Sequence, residues 1–388
     1  MSWDMVSLGE IAPSKAANKQ CNSNGSVWML NLDQVESGSG LIISKKYVSS
    51  SDVGSSTICF DDRHVLYSKL RPNLNKVVVP DQCGIATSEL IPMCPDHTRL
   101  DRQYLAHFLR SPEFVWWAVN RVSGAKMPRV VMKCFWEKEI PLPPLNEQKR
   151  IAAILDKADV IRRKRQQAIE KADEFLRSVF LDMFGDPVLN PKGWEVCQLE
   201  EHIDFLTSGS RGWAKYYSNA GEKFIRIQNV KNGLLNFDDI QHVNAPDTKE
   251  AIRTKVEADD LLISITADLG RTAVVDDASA SDGAYINQHL ALVRLKSDVN
   301  PDFLSAFIES AGGKTQFKRM NQNGVKAGLN FAAIKSFNFY SPPIDLQNKY
   351  SKIKKHVHSV YSAKLNKSQR KAEEQFSSLQ QKAFKGEL

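Results

Sequence analysis

Between Pro144 and Gly185 the chain carries neither glycine nor proline. Within it Ile151, Ile154, Ala158, Ile161, Arg165, Ala168, Ala172, Phe175 and Val179 recur at alternating three- and four-residue steps. That spacing predicts a long helix with a coiled-coil seam. A second stretch, 345–384, opens the same way with Leu346, Tyr350, Ile353, Val357 and Val360, and puts Lys364 where the first has Arg165. Its later apolar positions, Ala372, Phe376, Leu379 and Ala383, follow in a shifted register. Neither helix can bury its seam alone, so the two are expected to pair antiparallel about a pseudo-two-fold axis. Arg165 and Lys364 then fall near the middle, and their charged heads are expected to extend out of the seam.

Elsewhere the periods are mixed. KVVV (76–79), KFIRIQNV (223–230) and INQHLALVRL (286–295) predict half-buried strands. Helical spacing returns at Leu105, Phe108, Leu109, Val115 and Val119, and again at Phe303, Leu304, Phe307 and Ile308. The class is α+β. Trp116 and Trp117 sit in the first of these helical stretches and are assigned to the core in preference to a platform for stacking bases.

The pattern is repeated once. Trp3 and Leu8 reappear as Trp194 and Leu199; LYSKLRPNLNKVVV (66–79) parallels LISITADLGRTAVV (262–275); PLPPLNEQKRI (141–151) parallels YSPPIDLQNKY (340–350). Three blocks in one order, with a slowly growing offset, indicate a duplicated module. Each half reads as a globular part, a Pro-Pro stop and a long helix. The expected domains are 1–145, the helix 146–186, a second globular part 187–344, and a closing helix 345–388.

Composition narrows the function. The chain has 388 residues, 42% apolar and 25% charged, enough for two or three domains. No run approaches the roughly 20 apolar residues that span a bilayer. The opening MSWDMVSLGEI places an acid ahead of any base and lacks a cleavage signature, so a cytoplasmic location without membrane contact is expected. Cys21, Cys59, Cys83, Cys94, Cys134 and Cys197 stand singly and are expected to be reduced, mostly buried thiols. The net charge is +7, and the segment 345–388 holds ten Lys and Arg against four Asp and Glu, which permits an anionic partner without requiring one.

Catalytic signatures are absent from the sequence. GGKT (312–315) resembles the end of a phosphate-binding loop, but the first glycine of that motif falls on Ile308 and a helical stretch precedes it. No Gly-x-Gly-x-x-Gly occurs, the Pro-Pro pairs are LPPL and SPPI, and His356 and His358 point to different sides of a helix. EADD (257–260) and the pair Asp61 and Asp62 are not followed by the Glu-x-Lys of a nuclease site. The chain is therefore read as non-catalytic, with no cofactor or metal of its own.

PLPPLNEQKRIAAILDKAD, then FLRSVFLDMFGDP (175–187), and the closing SSLQQKAFKGEL resemble the central and C-terminal conserved regions of the specificity subunit of type I restriction-modification systems. SKLRP (68–72) and SGSRGWAKYYS (208–218) look like segments of its variable domains. The resemblance implies two target recognition domains, each reading one part of a split, asymmetric sequence in double-stranded DNA, separated by two long antiparallel helices. It also implies modification subunits that bring S-adenosylmethionine and methylate adenine, and a restriction subunit, a motor-nuclease working with ATP and Mg.

If DNA is the target, cations and amides must reach phosphates and base edges. The first half offers Lys69, Arg71, Asn73, Asn75 and Lys76 around Pro72, and Lys126 and Arg129 in GAKMPR. The second offers Arg211, Trp213, Lys215, Tyr216 and Tyr217 in a Gly- and Ser-rich loop, Arg271 after Gly270, and Lys326 between Gly324 and Gly328. The competing class is a coiled-coil scaffold with two peptide-binding end domains, and a third is an unrecognised nuclease or methyltransferase.

Overall fold

The computed structural model describes residues 3–17, 25–54, 56–321, 328–359 and 363–388, with the backbone alone for 363–371. Cys21, Gly324, Val360 and Lys326, and the side chain of Lys364, lie outside the described residues. The chain divides into two compact units: Met1–Gln167 with Lys367–Leu388, and Ala168–Asn366. Helix Leu145–Phe184 contributes to both.

The first unit has a four-stranded sheet in the order Lys46–Ser49, Ser26–Leu30, Gly84–Thr87, Thr57–Phe60, whose middle pair is parallel. Beside it lies a three-stranded antiparallel sheet, Val77–Val78, Val65–Ser68, Leu90–Met93. The second unit has the same mixture. One sheet orders Ile203–Ser208, Leu290–Leu295, Leu261–Ser264, Thr272–Val274, all antiparallel. The other contains one parallel pair, Glu222–Ile225 with Ala284–Ile286.

The run at 286–295 is neither one strand nor half-buried. A turn closed by Leu290 N–H to Asn287 C=O separates Ala284–Ile286 from Leu290–Leu295. The second strand is buried on both faces: Ala291 and Val293 enter one core, Leu290 and Leu292 another. Leu261 and Ile263 divide from Leu262 in the same way, as do Val65 and Tyr67 from Leu66 in the first unit. A strand serving two cores has no polar face, so it reads as a continuous apolar run. At 223–230 the strand stops at Ile225 and gives way to a short helical turn, Ile227–Asn229.

Helices follow in both units, Arg102–Arg110 and Pro112–Val119 in the first, Pro301–Glu309 and Ala311–Asn321 in the second. Asp101 and Asn300 cap their first turns by accepting main-chain N–H bonds, and Pro112 and Pro301 stand where a helix has no use for an N–H. GGKT lies inside Ala311–Asn321, so no phosphate loop forms there. Trp117 packs on the core beside Phe114, but Trp116 is 68% exposed, against expectation. On an eight-residue helix with one face committed, the next ring along turns outward. Cys83 is exposed and Cys59, Cys94, Cys134 and Cys197 are half-buried, so the expectation of buried thiols fails.

Each globular part is closed by a short antiparallel clasp of its entry and exit strands. Met5–Ser7 pairs with Glu139–Pro141, extended by Leu142 N–H to Asp4 C=O at 2.8 Å. Val196–Gln198 pairs with Asn338–Tyr340, extended by Ser341 N–H to Glu195 C=O at 2.9 Å. Beyond the clasp a fully buried glutamine locks each helix to its domain. Gln148 Oε1 accepts from Asp101 N–H and its Nε2 donates to Arg99 and Pro143 carbonyls; Gln347 Oε1 accepts from Asn300 N–H and its Nε2 donates to the Pro342 carbonyl. The Gln-after-Pro-Pro repeat is thus one hydrogen-bonded joint built twice. Gln148→Leu strands Asp101 N–H and two carbonyls, and is expected to cost about 2–3 kcal/mol, read as a lower thermal midpoint. An unchanged midpoint would show that the joint does not hold the domain.

In the first unit the long helix meets the C-terminal helix Ala363–Lys385 with opposite sense: Arg150 Nη2 donates to Leu388 O, and Arg162 lies over the Phe376 ring. Ile151, Ala152 and Leu155 pack there with Ala383, while Phe384 meets the rings of Tyr104 and Phe108. In the second unit Phe180 and Phe184 pack on Phe303 and on Tyr350 of helix Ile344–Val357. The expected seam is corrected by these contacts. Ile161 and Phe175 are 51% and 52% exposed, whereas Leu155, Leu176 and Phe180 are buried. A strict heptad repeat drifts from a straight helix by about 20° per heptad, so a stripe correct at Ile151 is misaligned by Phe175.

Candidate nucleic-acid interface

In the first unit three loops are stitched around the main chain of Lys69. Its N–H donates to Glu89 C=O at 3.0 Å, and its C=O accepts from Val130 N–H at 2.9 Å. Arg71 N–H donates to Pro128 C=O, and Leu70 bridges Arg129. The loops carrying Lys69, Arg71 and Asn73, and Lys126 and Arg129, are therefore held together. Arg71 and Asn75 both have left-handed backbones, at φ 50° and 48°, on either side of the turn Pro72–Leu74. Pro72 is buried and fixes the turn, leaving Arg71, Asn73 and Lys126 exposed.

Other expected residues face inward. Lys76 Nζ donates to Leu32 C=O at 2.6 Å, and Asn75 Nδ2 to Arg110 C=O at 3.1 Å. These two bind the loop to its own domain. Arg129 is held by Glu89, a carboxylate that sequence reasoning did not single out. Nε lies 3.1 Å from both Glu89 oxygens and Nη2 2.7 Å from Oε1. The bonds from Arg129, against a smaller opposing effect of burial, hold the Glu89 carboxyl below its ordinary value.

The second unit has the same frame. Ile265 N–H donates to His289 C=O at 3.0 Å, Leu329 N–H donates to Ile265 C=O at 2.8 Å, and Thr266 bridges Gly328. Where the first frame carries Glu89 and Arg129, the second carries His289 and Gly328. His289 Nδ1 lies 2.7 Å from Thr266 Oγ1, and its Nε2 3.0 Å from Gln288 Nε2. Arg271 pairs with Asp268 at the end of the neighbouring turn.

The Gly-rich loop joins this frame through a bridge from Ser210 to Asn287. A Cβ at Gly209 would lie 2.2 Å from Ile286 O, so only glycine permits that approach. Arg211, Lys215 and Tyr217 are exposed, and Tyr216 is half-buried beneath Lys215 Nζ. Trp213 departs from expectation as a surface group. It is 4% exposed, stacks on Phe224 at 5.1 Å and donates from Nε1 to Glu250, so it anchors the loop from below.

Among the described residues no group of three or more His, Cys, Asp or Glu is arranged to hold a metal ion, and no helix is long and apolar enough to cross a membrane. Each unit by itself thus presents exposed cations and polar or aromatic side chains on loops fixed by main-chain bonds, a candidate surface for an extended anion.

Known proteins share the sequence pattern and the fold. The chain is 23% identical over 187 residues to the Type I restriction enzyme EcoDI specificity subunit of Escherichia coli, covering 47% of this chain and 41% of that one. It is 22% identical over 252 residues to the MjaVIII specificity subunit of Methanocaldococcus jannaschii, covering 61% and 59%. The chain thus spans about half the length of these curated relatives. Its fold resembles that of a type I restriction-modification S subunit from M. genitalium, with a TM-score of 0.61 at 15% identity over 99% of this chain and 96% of that one. A chain from a structure describing complex assembly and conformational transition of the type I R-M system gives 0.53 at 19% identity, over 100% and 98%. The pattern of the type I restriction modification DNA specificity domain matches residues 1–171 and 191–373, one span for each copy of the repeat, and the chain belongs to that family.

Proposed function

We propose that the chain is the sequence-reading subunit of a type I restriction-modification complex, binding double-stranded DNA and doing no chemistry itself. Residues 1–145 and 187–344 each read one part of a split, asymmetric target. The helices 146–186 and 345–388 pair antiparallel between them and carry the modification subunits, which bring S-adenosylmethionine to adenine. A restriction subunit using ATP and Mg cuts. The observation that carries this reading is one main-chain frame built twice with different side chains, Glu89 and Arg129 in one copy, His289 and Gly328 in the other. A duplicated frame with unlike readers is what an asymmetric target requires.

The experiment pairs the chain with the modification subunit encoded beside it, maps methylated adenines in cells, and measures DNA affinity against salt. The expected result is a two-part asymmetric site, with log affinity falling by about 0.9 per phosphate contact for each tenfold rise in salt. A shallow slope and no methylation would favour the scaffold. Methylation by the purified chain alone would favour the enzyme.

A further inference from the structure

A carboxylate pointing into an anion-binding surface needs a reason, because it repels the phosphates that the neighbouring cations attract. Glu89 stands at such a place. It occupies the two-residue turn before the buried strand Leu90–Met93, and its carbonyl is tied to Lys69 N–H. Arg129 is fixed through Val130 N–H to the carbonyl of the same Lys69. The main chain of one residue, Lys69, therefore ties down the segments that carry both residues. Glu89 takes the Nε and Nη2 edge of the guanidinium, and among the described residues nothing accepts from Nη1. The Arg129 side chain remains 40% exposed, and Glu89 21%.

We infer that Glu89 and Arg129 form a buttressed guanine reader, in which Arg129 contacts the base and Glu89 is the positioning residue that aims it. The inference rests on the proposed DNA-reading function. A guanidinium gripped along its Nε edge presents the Nη1 and Nη2 end as a planar fork, the geometry that meets guanine O6 and N7 in the major groove. Fixing that fork beforehand removes rotamer entropy that a free arginine loses on binding. Arg71, exposed on a left-handed turn, has no such partner among the described residues and is left to the phosphates. In the second copy the frame puts Gly328 where Arg129 stands, so no guanidinium occupies this position of the frame in the other half.

The test uses the full chain assembled with its modification subunits, and duplexes carrying every single-base change at the mapped target. The parent is expected to prefer guanine at one position of the half-site read by 1–145, by about 5- to 150-fold. Arg129→Ala abolishes that preference and leaves the other positions discriminating. Glu89→Gln weakens the preference at the same position while raising affinity for an unrelated duplex, since a negative charge has been removed from the surface. Loss of folding alone would lower both, and thermal unfolding identifies it. Arg129→Lys keeps the charge without the fork and is expected to behave as Arg129→Ala for discrimination, which separates the result from misfolding.

If the parent complex discriminates bases but both Arg129 variants keep the guanine preference, the inference is overturned and the proposed function stands. The inference is equally overturned if Arg129→Ala weakens all duplexes equally, or if Glu89→Gln alone loses a cytosine preference. If the parent shows no base discrimination anywhere, the function itself fails and the inference with it.

Discussion

Exchanging residues 187–344 for the matching segment of a relative is expected to replace one half of the methylated sequence and leave the other half unchanged. The clasp is the reason. Val196–Gln198 and Asn338–Tyr340 enter and leave the domain as one hydrogen-bonded pair, and Ser341 N–H bonds Glu195 C=O just outside it. The chain can therefore be cut at both ends of a closed structure without severing a sheet. Among the contacts that cross the first cut, Trp194 Nε1 donates to Phe184 C=O and Lys192 Nζ donates to Asp182 C=O. Retaining Trp and Lys at those places in the donor segment is part of the design. The reverse exchange, of the domain closed by Met5–Ser7 and Glu139–Pro141, is expected to change the other half. Mapping methylated adenines in cells carrying each hybrid reads the outcome. A hybrid of either kind that alters both halves would show that the domains do not read independently.

The duplication is legible in the sequence because its markers do physical work in both copies. Gln148 and Gln347 follow Pro-Pro stops and form the same joint; Trp3 and Trp194 both pack beside the clasps they precede. The heptad seam is legible as a helix but not as a face. The spacing puts Arg165 in a stripe with Ile161 and Phe175, whereas the buried stripe is chosen by the domains' own phenyl rings, which lie far away in sequence. The interface is half legible. Cations and amides on turns can be read off a sequence, and Arg71, Lys126, Arg211 and Lys215 are exposed as expected. Inward commitments such as Lys76 to Leu32 depend on which main-chain carbonyl lies nearby. Glu89 escapes a sequence reading because a carboxylate does not look like a DNA contact until its pairing with a residue forty positions away is known.

Lys354→Met is expected to destabilise the second unit by about 3–5 kcal/mol at neutral pH, the largest stability effect foreseen for a single change in this chain. Lys354 and Asp302 are 5% and 6% exposed and 2.7 Å apart, joining helix Ile344–Val357 to helix Pro301–Glu309. Ser351 donates to the other Asp302 oxygen at 2.6 Å, and Lys354 Nζ also reaches Gly233 C=O at 3.3 Å. Removing the lysine leaves a buried carboxylate without its counter-charge. Replacing both, as Asp302→Leu with Lys354→Met, removes the charge as well as the bond and is expected to be far milder.

The dependence on pH distinguishes this account from simple loss of packing. Burial raises the Asp302 carboxyl, but the Lys354 charge and the bonds from Lys354 and Ser351 outweigh it and hold the group below its ordinary 3.8. Its contribution is complete above that value and lost as pH falls through the lower folded one. His358 acts in the same direction. Burial first, then the Lys354 charge, push its imidazole from 6.5 down to about 4, so the unfolded chain takes up a proton that the folded one refuses. Stability of the parent therefore declines from about pH 6.5 toward pH 4. In Lys354→Met the repulsion on His358 is gone, and burial now favours a protonated Asp302 that needs no counter-charge. The difference between parent and variant is then widest near pH 7 and narrows toward pH 4. Hydrogen exchange at the amides of Pro301–Glu309, followed across that range, measures it. A difference that stays constant with pH would mean that Lys354 contributes through its hydrocarbon stem and not through its charge.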